Sequence, residues 1–157
     1  MYPIRLLEVL YMGNVVQDCV EQHQIRLRAN ETEVQKDMSY DISLTDPVTK
    51  EILEADFTHH IAGGTYAVGG TRKLELNVTW NYCKFYYGDK AFGDNGIKSL
   101  DGMTGAESIP VLKKAISNLG DDVSPEYWDA TEGNAKRALC GLLALAQIRP
   151  DGVWEVM

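Results

Sequence analysis

Between Met38 and Thr45 apolar and polar residues alternate without a break: Met38, Tyr40, Ile42 and Leu44 against Ser39, Asp41, Ser43 and Thr45. A period of two sends successive side chains to opposite faces, so this stretch predicts a half-buried strand. The segment "DPVTKE" follows, with Pro47 placed to preset a turn, and "ILEADFTHH" resumes the alternation through Leu53, Ala55 and Phe57. Together the two runs predict a β-hairpin. Two Gly-Gly pairs then bracket a short apolar core in "IAGGTYAVGGT", which reads as a brief strand between tight turns. In "RKLELNVTW", Leu74, Leu76, Val78 and Trp80 share one face, and Glu75, Asn77, Thr79 and Asn81 the other. Upstream, "QIRLRA" alternates as a strand does, whereas "IRLLEVL" fits a helix or a strand equally.

After Trp80 the period lengthens. Tyr82, Phe85, Tyr86 and Phe92 can share one helical face, although Gly88 and Gly93 weaken that helix. Thr104 and Glu107 have the spacing of a capping box, and Ile109, Leu112, Ile116 and Leu119 form the stripe of the helix that follows. Pro110 is expected in its first turn, where proline is tolerated, and Gly120 is a natural stop. Thr131 can cap a third helix carrying Leu139, Leu142, Leu143 and Ala146 inward. Pro150 and Gly152 end it, and "VWEV" can return as an edge strand. The fold class expected is α+β, an antiparallel sheet from the N-terminal half packed by two or three C-terminal helices. At 157 residues the chain suits one globular domain, 1–157, with residues 1–36 left unassigned.

A formal charge of −8 argues against binding to a nucleic-acid backbone, which needs clustered Lys and Arg. No apolar run reaches the roughly 18 residues of a membrane span, and the opening residues do not read as a signal peptide. Three scattered cysteines, Cys19, Cys83 and Cys140, are odd in number and without CxxC spacing, which argues against a disulfide framework or a zinc knuckle and suits a reducing cytoplasm. Cys83 and Cys140 are both expected to be buried and inert.

Chemistry is sparse. His59 and His60, if on one strand, point to opposite faces and cannot grip one metal, so no metal site and no cofactor are expected. Either could carry a proton near neutral pH. The glycine pairs serve tight turns or bring bare N–H groups to an anion; they follow neither the P-loop nor the dinucleotide pattern. Asn81 either caps the helix that follows its strand or lines a pocket at the sheet edge with Tyr82 or Tyr86. The segment "TEGNAKR" opens the third helix, so Asn134, Lys136 and Arg137 either belong to a capped helix end with a solvated basic patch or, with its free N–H groups, meet an anion. No GxSxG elbow and no acid/base carboxylate pair stands out.

The blocks "HHIAGGTYAVGGT", "LNVTWNY", "GIKSLDGMTGAESIPVLKKAI" and "YWDATEGNAKRALCGLLALAQIRPDGVWEV" resemble those of a family of small uncharacterised proteins of phages, prophages and mobile elements of gut Firmicutes. The resemblance spans residues 37–157 and implies a setting, an accessory phage-type protein inside a bacterial cell, with counter-defence as its role. It implies no catalytic residue.

The function expected is therefore a binding protein that holds a small anionic or nucleotide-like ligand without catalysis. Its site would use His60, Thr65, Tyr66, Asn81, Tyr82, Asn134 and Arg137. Two alternatives stand beside it: a protein–protein inhibitor of a host factor acting through the acidic surface, and a small enzyme using His59 or His60 as acid/base. A homo-oligomer is compatible with each, because edge strands need covering.

Overall fold

The computed structural model describes residues 39–59 and 70–157. The expectations for residues 1–38, "QIRLRA" among them, and for the glycine hairpin at 60–69 with His60, Thr65 and Tyr66 lie outside the described residues. Strand β1 (Ser39–Thr45) turns back at Asp46 toward β2 (Glu54–His59); β3 (Thr71–Lys73) and β4 (Glu75–Thr79) follow. A 3-10 turn (Trp80–Tyr82) leads into the short helix α1 (Cys83–Tyr86). Two longer helices, α2 (Gly105–Ser117) and α3 (Glu132–Ile148), precede the last strand, β5 (Val153–Val156). The architecture is α+β, with antiparallel strands and two long helices in the C-terminal half.

The main sheet runs β4–β1–β5, and β2 pairs only with β3 in a separate ribbon. This corrects the expected hairpin of β1 with β2. The hairpin does begin, with Asp46 N–H donating to the Glu51 carbonyl at 2.8 Å and a bridge between Thr45 and Ile52. It then splits at a ring of three backbone hydrogen bonds: Leu53 N–H to Leu44 O, Leu44 N–H to Leu74 O, and Leu74 N–H to Leu53 O. Every donor in the ring is used, so β1 changes partner there without leaving a backbone group unpaired. The same junction divides the expected 72–80 strand into β3 and β4. Phe57, expected inward, is 52% exposed, because the ribbon leaves the core after Ala55.

Where the sheet has a helical partner the apolar positions face the core as expected, although Ser43, Thr45 and Thr79 on the other face are buried too. Tyr40, Ile42 and Leu44 of β1, Leu76 and Val78 of β4 and Trp154 of β5 are buried in one apolar cluster with Leu112 and Ala115 of α2 and Leu139, Leu142 and Ala146 of α3. Each fully buried aliphatic side chain contributes roughly 1.5–3 kcal/mol relative to exposure. The aromatic run does not continue as a helix past Tyr86. The chain folds back between Gly88 and Gly93, both at positive φ, and this turn still brings Phe92 edge-on to Tyr86.

The capping box forms as expected. The Thr104 hydroxyl accepts the Glu107 N–H, and the Glu107 carboxylate accepts the Thr104 N–H. The helix therefore starts at Gly105, which puts Pro110 inside it rather than in its first turn. Thr104's N–H and then its hydroxyl hold the Glu107 carboxyl below its ordinary value of 4.5. A depressed folded value stabilises above the unfolded range and is lost as pH falls through it. Thr104→Ala is expected to cost about 1 kcal/mol at neutral pH. In urea unfolding, its deficit against wild type should shrink once the pH is taken below 4.5.

Of the cysteine expectations, the burial of Cys83 holds, while the burial of Cys140 and the reading against a disulfide do not. Cys140 is exposed, one residue round α3 from the inward Leu139. Cys83 is buried and disulfide-bonded, so cysteine usage no longer argues for a reducing compartment. Among the described residues, no helix is long and apolar enough to cross a membrane. The outer edge of β5 is covered from within: Trp154 O accepts Gly102 N–H, Trp154 N–H donates to Met103 O, and Val156 N–H donates to the Asp101 carboxylate. That edge therefore gives no reason for a second copy to pair there.

Candidate functional site

The site is built on the other edge of the sheet. In β4 the register with β1 turns the main-chain groups of Leu76 and Val78 toward β1. Those of Asn77 and Thr79 point out from the sheet. Tyr127, from the loop between α2 and α3, meets them: its hydroxyl accepts Thr79 N–H at 3.0 Å and donates to Asn77 O at 3.1 Å. One phenol thus does what a neighbouring strand would do. The Asn77 N–H points the same way and has no hydrogen-bond partner among the described residues.

The loop is tied down from both ends. Asn81, expected to cap or to line a pocket, does neither: Thr79 caps the turn, and Asn81 Nδ2 donates to Trp128 O at 2.8 Å. The buried Tyr82 hydroxyl donates to the Tyr127 carbonyl, and the two rings stand edge to face at 5.9 Å. Burial first, and Tyr127 second, raise the Tyr82 hydroxyl above the ordinary tyrosine range. Burial also raises Tyr127, against the pull of the Thr79 N–H. Both stay neutral near pH 7 and act as fixed dipoles.

Asn134, in the first turn of α3, holds the loop from beneath. It is 4% exposed; its Oδ1 accepts Ser124 N–H at 3.2 Å, and its Nδ2 donates to Glu126 O at 2.9 Å and Asp129 O at 3.2 Å. Both of its amide hydrogens are thereby spent. The helix N-terminus, read as a place for an anion, is largely served by the chain itself. Asp122 accepts Gly133 N–H at 3.1 Å and Thr131 accepts Asn134 N–H at 3.1 Å. Residue 133 must be glycine for this approach, since a Cβ there would lie 2.7 Å from the Asp122 carbonyl carbon. Lys136 is bound to Asp121 at 2.7 Å.

Between β4, the Tyr127 loop and α3 lies a cavity of ≈ 350 Å³. Leu76, Val78, Pro125, Ala138 and Gly141 supply apolar wall; Tyr82, Asn134 and Arg137 join from the expected set. Arg137 is the one charged side chain among the described lining residues, and it has no ion pair among them. Asn134, Arg137, Ala138 and Gly141 fall at helical spacing, so one face of α3 forms the floor. Of the seven expected residues, three meet here, Asn81 stands behind the loop, and His60, Thr65 and Tyr66 are outside the described residues. His59 is not part of this cavity: on the β2–β3 ribbon, its Nε2 lies 2.6 Å from the Lys73 carbonyl. Tyr127, Ser124 and the Asn77 main chain were not anticipated. The available signal was the need to cover β4, an edge strand, with something able to pair its outward groups.

The protein is an α+β chain with an open cavity at a sheet edge, lined in part by the exposed Arg137, which has no ion pair among the described residues. Comparison with protein-family models, with curated proteins and with solved structures matched nothing. Among the described residues no group of three or more His, Cys, Asp or Glu could hold a metal ion.

Proposed function

We propose that this chain is a binding protein that holds a small anionic ligand, the nucleotide-like class included, in the cavity between β4, the Tyr127 loop and α3, without catalysis. The observation that carries the reading is Arg137: a guanidinium without an ion pair among the described residues, at a cavity within the volume range of small-molecule sites. A guanidinium offers a planar fork of donors suited to a carboxylate or phosphate. The neutral tyrosines and the engaged Asn134 supply shape, and the described lining residues include no histidine or carboxylate to take a proton. In the setting implied by the resemblance to phage and mobile-element proteins, such a binder would act inside a bacterial cell by sequestering a host signal, a counter-defence role.

The test is mass spectrometry of small molecules released when the purified protein is denatured. Wild type is expected to release an intact anion, and Arg137→Ala to lose it by at least tenfold while keeping its unfolding midpoint. Equal release from both proteins, or none from either, would overturn the reading.

A second reading, an inhibitor that occludes a host protein through its acidic surface, is favoured by the charge of −8 and by Trp128, 59% exposed on the same loop. Capture of one host protein, unaffected by Arg137→Ala and weakened by salt, would select it.

A further inference from the structure

The hydrogen-bonding groups around the cavity narrow the ligand further than its volume does, and this step rests on the binding-protein reading above. An anionic ligand is recognised by donor hydrogens that the protein has not already used. Asn134 has given both amide hydrogens to Glu126 and Asp129. The Ser124 hydroxyl donates to Asp129 at 2.5 Å, and its N–H donates to Asn134. The Tyr82 and Tyr127 hydroxyls donate to the Tyr127 and Asn77 carbonyls. Asn77 Nδ2 donates to Ser39 and Asp41, both at 2.7 Å. Pro125 has no N–H. Among the side-chain donors of the described lining residues, only the Arg137 guanidinium is left unused.

The charges point the same way. The loop that lines one side of the cavity carries Asp122, Glu126 and Asp129 outside the lining, and Lys136, one residue from Arg137, is neutralised by Asp121. A single positive charge in that company suits a single negative one. A phosphate dianion or a polyphosphate would bring more negative charge than the one guanidinium among the described lining residues offsets. The acceptor atoms of a nucleobase would also need side-chain donors besides the guanidinium, and the described lining has none to spare. Leu76, Val78, Ala138 and Gly141, with the tyrosine rings, instead offer apolar contact.

We propose that the cavity takes a monocarboxylate with an apolar body: the carboxylate pairs with the Arg137 fork, the hydrocarbon or aromatic part fills the space between β4 and α3, and nucleotides are excluded.

Isothermal titration of the full chain with phenylpropionate, indoleacetate, octanoate, acetate and adenosine monophosphate tests this. At least one of the first three is expected to bind. Its neutral amide should bind at least tenfold more weakly, and acetate, which lacks the body, should give no measurable heat. Arg137→Ala should abolish the response, and Arg137→Lys, which keeps the charge but not the fork, should restore it only in part. Adenosine monophosphate binding that depends on Arg137 would overturn this inference and leave the binding-protein reading standing. Amides binding as well as acids would overturn it too, since the guanidinium would then have no anion to meet. No Arg137-dependent binding by any probe, with nothing released on denaturation, would overturn both.

Discussion

Trp154→Ala is expected to be the most destabilising single substitution considered, costing about 3–5 kcal/mol. Trp154 is 1% exposed in the middle of β5, and its Nε1–H donates to the Ser108 hydroxyl at 2.7 Å within the core. Its main-chain N–H and carbonyl meanwhile join β5 to the 101–104 segment that covers the sheet edge. Alanine would leave a large void where sheet, α2 and the covering segment meet. Against a total stability of about 5–15 kcal/mol for a typical domain, a loss of that size is a large fraction of what holds the chain folded. Urea unfolding followed by far-UV circular dichroism should show the midpoint fall sharply or the transition vanish. Trp154→Phe, which keeps most of the volume and loses the hydrogen bond, should retain a cooperative transition at an intermediate midpoint. Equal stability of all three proteins would refute the role assigned to this side chain.

Asn134→Ala is the second. If Asn134 were only a ligand contact, its loss would leave the unliganded protein unchanged. The geometry predicts otherwise: Ser124 N–H, Glu126 O and Asp129 O would lose their partner together, at roughly 1–3 kcal/mol for each group left buried and unsatisfied. The loop can relax toward water, so a loss of about 2 kcal/mol or more is expected overall. Hydrogen exchange should accelerate across residues 124–129 while α2 and the centre of β1 stay protected. Binding should fail with the loop, because the wall bearing Tyr127 would no longer be held. Unchanged exchange in that segment would contradict the account.

What could be read in advance followed from period and from end signals. Alternation located β1, β4 and β5, and caps at Thr104 and Thr131 located α2 and α3, because these depend on neighbours a few residues away. Strand pairing was not legible. A period of two says which residues face inward and nothing about which strand lies alongside, so the partner exchange at Leu44, Leu53 and Leu74 had no local signature. The cavity was half legible for the same reason. Helical spacing from the Thr131 cap put Asn134 and Arg137 together, and Tyr82 followed from its place at the end of β4. The engagement of Asn134 by Ser124, Glu126 and Asp129 could not be seen, since an amide that binds a ligand and one that binds a loop have the same letter. Tyr127 was hidden in an irregular segment, and its part in completing the β4 edge exists only once the sheet order is known.

The location of binding is tested most directly by amide NMR spectra of the labelled protein, titrated with whichever of phenylpropionate and adenosine monophosphate it binds. Shifts are expected to gather at Asn77, Tyr82, Ser124, Ala138 and Gly141, and to disappear in Arg137→Ala. Shifts gathered instead on the ribbon around His59 or along β5, or persisting undiminished in the variant, would contradict a site at the edge of β4.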